Sequence, residues 1–391
     1  MADFCIISEF NPMHNGHKYI VEKARELGAD SVSVVMSGNA TQRGELAVTD
    51  KYLRGKAAVM SGVDLALELP YPWCASSADY FATAGVYIAS QVADTLLFGS
   101  ECGDIDLLRR AAEYCERAEF LQSFEDKKKI MGAAKAYVES LEEVGFETLH
   151  SNDLLGVAYI RAVRRMGLDL ECRTVKRVGS AYSDTEVRSG ELPSATAIRR
   201  LLACGELDTI GDIVPRPTAE MLKTAIANGE LVDPDKLLEY ALCFFRLSDA
   251  SEFEEIAEAG GGLANRICSA AKDSHSGAEL FDSVRTKRYT DARVRRAMLF
   301  CMTGVKAKML DTLPQYTTLL AANDKGRELL AKKRKSGGIE VVTKPADAPR
   351  DTEQYGVSER LDALYGLALP QKTTVGEMLR KKAYIEIGEK T

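Results

Sequence analysis

Residues 2–20 read Ala2-Asp3-Phe4-Cys5-Ile6-Ile7-Ser8-Glu9-Phe10-Asn11-Pro12-Met13-His14-Asn15-Gly16-His17-Lys18-Tyr19-Ile20. Phe4 to Ile7 is a short apolar run of the kind that forms a buried strand in a parallel sheet. Asn11-Pro12 ends it. His14-Asn15-Gly16-His17 leads into a segment where Ile20, Val21, Ala24 and Leu27 share one helical face. A strand, a tight turn and a helix start over the strand end present free N–H groups and a positive dipole end, a ready phosphate site. His14 and His17 fall on neighbouring sides of the first turn. Imidazoles there can donate to phosphate oxygens and stabilise charge on a transferring phosphoryl group. Alone, the pair would also suit ordinary capping or surface roles, yet the whole chain holds only 4 His.

Working outward, Ser31 to Met36 is short and β-branched, a second strand. Asp50 is a candidate N-cap for a helix through Met60. Val63 to Leu69 reads as a third strand, Ser76 through Ser90 as a helix, and Ala93 to Phe98 as a fourth strand ending at Gly99-Ser100-Glu101. Helices are expected over 105–119 and 124–144, then one capped at Asn152-Asp153 and running to Arg165, then a fifth strand over 171–178. This alternation predicts an α/β fold with a Rossmann-like doubly wound parallel sheet. Ligands of such sheets bind at the carboxyl ends of the strands, where His14, Ser37, Gly99 and Arg177 fall. Ser194-Ala195-Thr196-Ala197-Ile198-Arg199-Arg200 reads as a further helix start, its hydroxyls and Arg199 suited to nucleotide phosphates; a capping Ser beside a solvated Arg is the alternative. Pro215 and Pro217 mark a junction. The expected division is residues 1–210, carrying the phosphate-binding elements, and residues 211–391, mainly helical, with a small strand-helix-strand element over 316–342.

Strand, Asn-Pro, then His-x-Gly-His at a helix start resembles the HxGH nucleotidyltransferases. The longer stretch from Glu9 to His17, followed by Met36-Ser-Gly-Asn-Ala-Thr-Gln-Arg-Gly-Glu45, resembles the tRNA(Met) cytidine acetate ligase family. The resemblance implies that acetate attacks the α-phosphate of ATP to give an acetyl-adenylate, and that N4 of the wobble cytidine of elongator tRNA(Met) then takes the acetyl group. It implies catalytic roles for His14, His17 and Arg199. It implies ATP contacts from Ile7, Ser8, Glu9, Phe10, Asn11, Pro12, Met13, His14, Asn15, Gly16, His17, Lys18, Tyr19 and Ile20, and from Gly99, Asn152, Arg177, Ser194 and Thr196. Outside the resemblance, Gly99 would serve as a turn residue, Asn152 as a helix cap and Arg177 as a solvated cation. Ser8, Phe10, Met13 and Ser183 depart from the family's commoner residues. A small-molecule adenylyltransferase shares the histidine logic but usually needs only the first half of the chain. A non-catalytic RNA-binding protein on a degenerate nucleotidyltransferase fold is the other alternative.

The 391 residues allow two domains or more, and 46% hydrophobic with 28% charged content is ordinary for a globular chain. A net charge of −7 argues against a uniformly RNA-binding surface. Any RNA contact must come from local basic clusters. Thr286-Lys287-Arg288-Tyr289-Thr290, followed by Arg293, Arg295 and Arg296, surrounds an aromatic with cations and suits RNA; the same stretch resembles the ligase family's Thr-Lys-Arg-Tyr-Thr. A second cluster, Lys325, Arg327, Lys332, Lys333, Arg334 and Lys335, suits RNA and a solvated helix face equally. The 9 Cys are scattered without zinc spacing, which predicts reduced, buried thiols in a cytoplasmic protein. No metal cage is evident, and Mg²⁺ is expected to arrive with ATP. No apolar run approaches membrane-spanning length.

Overall fold

A computed structural model describes residues 2–146, 148–177, 194–286, 288–334 and 337–387. Eight strands form one sheet: β1 (Ala2–Ser8), β2 (Ala29–Ser37), β3 (Leu65–Leu69), β4 (Thr95–Ser100), β5 (Glu171–Lys176), β6 (Tyr316–Ala322), β7 (Glu340–Val342) and β8 (Tyr384–Ile385). Their order is β5-β4-β1-β2-β3-β6-β7, with β8 paired to β6. The first five are mutually parallel. The chain builds from β1 to one side through β2 and β3, then returns to lay β4 and β5 on the other. This reversal opens a crevice beyond the carboxyl ends of β1 and β4. Phe4 to Ile7 are all buried, as a doubly covered central strand requires.

The strand-helix-strand element expected within the helical half instead extends this sheet. β6 pairs antiparallel with β3, Leu65 opposite Ala322, and β7 and β8 run parallel to β6. The pairing covers an edge of β3 that would otherwise expose free backbone groups. All seven residues of β6 are buried. Gly55 lets the helix Lys51–Met60 lie on this strand, since a Cβ there would stand 2.8 Å from Leu320 Cβ. One hydrophobic core therefore runs across residue 210, joining Phe4 and Val34 to Phe300, Leu320 and Tyr365.

Helices Pro234–Leu247, Leu263–Asp273, Gly277–Val284 and Asp291–Thr303 pack around a second core with Phe245, Ile267, Leu280 and Met298. A third, smaller cluster holds Val48, Ile198, Leu202 and Leu222. The two helices expected over 105–144 are three: Ile105–Tyr114, Ala118–Lys128 and Ala133–Glu142. The breaks come where Arg117 and Gly132 act as N-caps; Arg117 carries no breaker signal, whereas Gly132 is a breaker that apolar periodicity runs straight through. All nine cysteines are free, but Cys204 and Cys243 are exposed, contrary to the expectation of buried thiols. Cys5 is buried and its thiol is pushed up to about 12, a core group rather than a nucleophile. No helix among the described residues is long and apolar enough to cross a membrane.

Candidate active site

At the β1 carboxyl end the chain turns sharply. Phe10 takes a φ of +42°, the left-handed region that strains a side chain, and its ring packs 4.8 Å from that of His17. The helix Asn15–Glu26 then begins, with His14 as its N-cap. His14 Nδ1 accepts the Gly16 N–H at 3.1 Å, and His17 Nδ1 accepts the His14 N–H at 3.2 Å. This reciprocal arrangement is a capping box built from two imidazoles. It also decides the tautomer: a neutral ring whose Nδ1 accepts must carry its proton on Nε2. The rings stack, 3.8 Å apart. Burial and the nearby Arg177 push His14 down to about 3, and burial, His14 and Arg177 hold His17 well below its ordinary value. Both rings are thus neutral near pH 7, each a donor through Nε2. Capping, one of the alternatives on sequence, uses only the Nδ1 of each ring.

His14 and His17 line a cleft of about 350 Å³ together with Ile7, Ser8, Glu9, Phe10, Asn11, Ile20, Gly99, Asn152, Arg177 and Ser194. Ile6, Phe81, Phe98 and Tyr159 complete its walls. Gly99 keeps one wall thin, because a Cβ there would stand 3.1 Å from Arg177 Cγ and 3.2 Å from Ile20 Cδ1. Asn11 is 1% exposed; its Oδ1 accepts the Val48 N–H at 2.8 Å. Its Nδ2 is itself buried and has no partner among the described residues. Glu9 Oε1 accepts the Gln42 N–H at 2.9 Å, and burial holds this carboxyl above the usual carboxylate range.

Three residues that the sequence reading passed over frame the cleft. Arg54, in the helix Lys51–Met60, is 1% exposed. Its guanidinium donates to the carbonyls of Glu9 at 2.9 Å, Thr49 at 3.0 Å, Ser37 at 3.1 Å and Gly38, tying the ends of β1 and β2 together. Glu101 accepts from Asn152 Nδ2 at 2.6 Å and from the N–H groups of Asn152 and Asp153, which docks the helix Ser151–Met166 at the cleft. Gln42 joins the cleft to the helical half: its N–H holds Glu9, and its carbonyl accepts from Arg296 at 3.3 Å. An Arg four residues into a helix and a Glu after a strand carry no such signal locally.

The helix Ala195–Ala203 starts at Ser194, whose Oγ accepts the Ala197 N–H. Ser194 faces the cleft, whereas Thr196 and Arg199 line a neighbouring cavity of about 360 Å³. Arg199 donates to the Asn11 carbonyl at 3.1 Å and lies 3.5 Å from Glu45, and it is not among the residues lining the cleft that holds the histidine pair. Pro12, Met13, Asn15, Gly16, Lys18 and Tyr19 belong to the turn and first helical turn without lining the cleft. In the basic cluster, Arg288 is exposed. Arg293 and Arg296 hold Glu258, at 3.6 and 2.9 Å, and Arg295 lies 3.4 Å from Glu45. Lys287, Lys335 and the 179–184 segment with Ser183 lie outside the described residues. No group of three or more His, Cys, Asp or Glu arranged to hold a metal occurs among the described residues.

A profile of the HIGH Nucleotidyl Transferase family matches residues 1–378. The chain is 36% identical over 356 residues to the tRNA(Met) cytidine acetate ligase of Thermotoga maritima, covering 86% of this chain and 85% of the relative. It is 33% identical over 365 residues to the protein of that name from Acetivibrio thermocellus, covering 88% of each. Among solved structures, apo Thermotoga maritima TmcAL superposes with a TM-score of 0.89 at 31% identity, over 99% of this chain and 100% of that one. The same protein bound with alpha-thio ATP superposes with a TM-score of 0.89 at 30% identity.

Proposed function

The chain belongs to the HIGH nucleotidyl transferase family and, within it, to the tRNA(Met) cytidine acetate ligases, and on that premise we propose a two-step reaction for it. It is an ATP-dependent, tRNA-modifying ligase. In the first step an acetate oxygen attacks the α-phosphorus of ATP, the bond to the β-phosphate bridging oxygen breaks, and pyrophosphate leaves. A carboxylate is already ionised at neutral pH, so no base is needed. In the second step N4 of the wobble cytidine of elongator tRNA(Met) attacks the acetyl carbon, the bond from that carbon to the AMP oxygen breaks, AMP leaves with the electron pair, one N4 proton passes to water, and N4-acetylcytidine remains.

The observation that carries the first step is the histidine capping box. Two neutral imidazoles spend their Nδ1 atoms on their own helix and keep Nε2–H donors on rings that line a cleft at the strand ends. Donors held in advance where phosphate charge develops stabilise a transition state without reorganising. The Arg177 guanidinium and the first turn of the helix Asn15–Glu26 would add to them. Arg199 would act from the wall behind Asn11. Mg²⁺ fits as a companion of the triphosphate: Glu9 is the carboxylate lining the cleft, and phosphate oxygens and water would supply most of its ligands. Residues 1–210 would hold ATP, and 211–391 would present the RNA, with Lys287 and Arg288 toward its backbone.

The test is incubation with ATP, labelled acetate and bulk bacterial tRNA. Label recovered as acetylcytidine, dependent on ATP, is the expected result. Adenylate transfer to a phosphorylated small molecule instead, or RNA retention without nucleotide chemistry, would replace this reading.

A further inference from the structure

The cavity of about 360 Å³ beside the nucleotide cleft has no occupant in the first step. It opens where the three hydrophobic clusters meet, with Val48 and Leu202 from the smallest, Leu299 from the main core and Met298 from the helical one. Its charged lining residues are Glu45, Arg199, Arg200, Asp235 and Arg295, of which Arg199, Glu45 and Arg295 form one group. Glu45 lies between the two cations at 3.5 and 3.4 Å, beyond good hydrogen-bond distance, so the three are loosely engaged and open to exchange for a ligand. Arg295 is steadied by the Phe281 ring, 4.3 Å from its guanidinium carbon.

We propose that this cavity receives the acceptor base of the RNA, a cytosine swung out of its strand, with Glu45 and Arg295 reading its edge. The proposal rests on the ligase reading, which requires an N4 amine to reach an acyl group in the adjoining cleft. The two spaces adjoin at the start of the helix Ala195–Ala203: Ser194 and Ala195 line the cleft, Thr196 and Arg199 line the cavity, and Arg199 donates to the carbonyl of cleft residue Asn11 at 3.1 Å. Acetate is far too small for the volume, which lies in the range of small-ligand sites. A single-stranded loop base can be splayed into such a pocket at modest cost. Cytosine carries the amine donor at N4 beside acceptors at N3 and O2. A carboxylate accepts from N4, and a guanidinium donates to the acceptors. Uracil has an acceptor, O4, where Glu45 needs a donor. The apolar walls suit the faces of the ring.

The test uses the full chain and an anticodon stem-loop RNA carrying 5-fluorocytidine at the wobble position. We expect the fluorine resonance to shift and broaden on saturation with protein. Met302→Trp and Leu238→Trp, which fill the cavity from half-buried positions, should abolish that shift and lower acetyl transfer at least 100-fold. Acetate-dependent ATP–pyrophosphate exchange should stay within about threefold. Stem-loops with cytidine should bind about 10- to 100-fold more tightly than those with uridine, and Glu45→Gln should narrow that ratio to within threefold, an effect that simple loss of structure would not produce. An unshifted fluorine signal at saturation, or an unchanged ratio in Glu45→Gln, overturns the pocket while exchange still supports the ligase. A wild-type protein without acetate-dependent exchange removes the ligase reading and the pocket with it.

Discussion

Replacing His14 with Asn separates the two jobs that one ring performs. Its Nδ1 caps the helix through the Gly16 N–H at 3.1 Å, and its Nε2 is the donor assigned to phosphate. The Asn Oδ1 stands at nearly the Nδ1 position, and Asn is among the best N-capping residues. His14→Asn therefore keeps the cap and deletes the outer nitrogen, whereas His14→Ala deletes both. The stack on His17 at 3.8 Å is lost in either case, so the stability difference between the variants isolates the cap, about 1 kcal/mol. Removing one preorganised donor from a site of developing charge costs about 100- to 1,000-fold in rate, equivalent to about 2.7–4 kcal/mol. Both variants should show that loss in acetate-dependent pyrophosphate exchange. Urea unfolding should rank His14→Asn above His14→Ala by about 1 kcal/mol. Exchange by His14→Asn within threefold of wild type would refute the phosphate role; equal stability of the two variants would refute the cap.

The pH dependence of stability carries the same residue's signature. His14 is pushed down to about 3 by burial and Arg177, while the unfolded chain titrates near 6.5. The unfolded state therefore binds more protons between those values, and stability is lost as pH falls below about 6.5, by about 2 kcal/mol at pH 5. His14→Asn should lose that much less between pH 8 and pH 5 in urea unfolding; identical pH profiles would contradict the assignment. A second prediction concerns Lys51 and Glu68, both buried, whose ammonium and carboxylate lie 2.7 and 2.9 Å apart. Burial opposes the lysine's charge, but Glu68 and Asp362 hold it well above its ordinary value. Lys51→Met strands these carboxylates and should cost about 3–5 kcal/mol; adding Glu68→Leu should recover most of it, and no recovery in thermal unfolding would count against the pairing. Third, Gly44 has a φ of +74°, and a Cβ there would stand 2.5 Å from the Arg296 backbone nitrogen. Gly44→Ala should push the 41–45 loop off the helix Asp291–Thr303, costing about 1–3 kcal/mol and slowing exchange through the lost Gln42–Glu9 contact. Unaltered exchange would show that Glu9 needs no such support.

What could be read in the sequence is what short-range chemistry decides. The apolar run Phe4–Ile7, the Asn11-Pro12 stop, and the caps Asp50 and Ser194 each act within a few residues, and each recurs in the structure. What escaped depends on distant partners. Nothing within β6 says that it will cover the edge of β3, some 250 residues earlier. Arg54 looks like one more solvated helix cation. Its burial is decided by carbonyls at Glu9, Ser37 and Gly38, which gather only once β1 and β2 are paired. The arginines at 293, 295 and 296 read as an outward basic patch, yet Glu45 and Glu258, far apart in sequence, draw all three inward. A run of cations shows its charge in the sequence and its partners only in the fold.

That inward turn changes what the second half of the chain does. Had the basic helix faced solvent alone, it would be a handle for RNA, separable from catalysis. Instead the 41–45 loop connects it to the cleft by two routes: Arg296 to the Gln42 carbonyl and the Gln42 N–H to Glu9, and Arg295 to Glu45 to Arg199 to the Asn11 carbonyl. A charge that takes Arg295 from Glu45 also alters what holds Arg199, and through it the carbonyl of Asn11, a residue that lines the cleft. On the proposed function, an RNA phosphate or base arriving at this helix would compete with contacts that support the cleft. The two substrates would then meet through one five-residue loop, and Gly44, where a Cβ would stand 2.5 Å from the Arg296 backbone nitrogen, is where that coupling would be most easily broken.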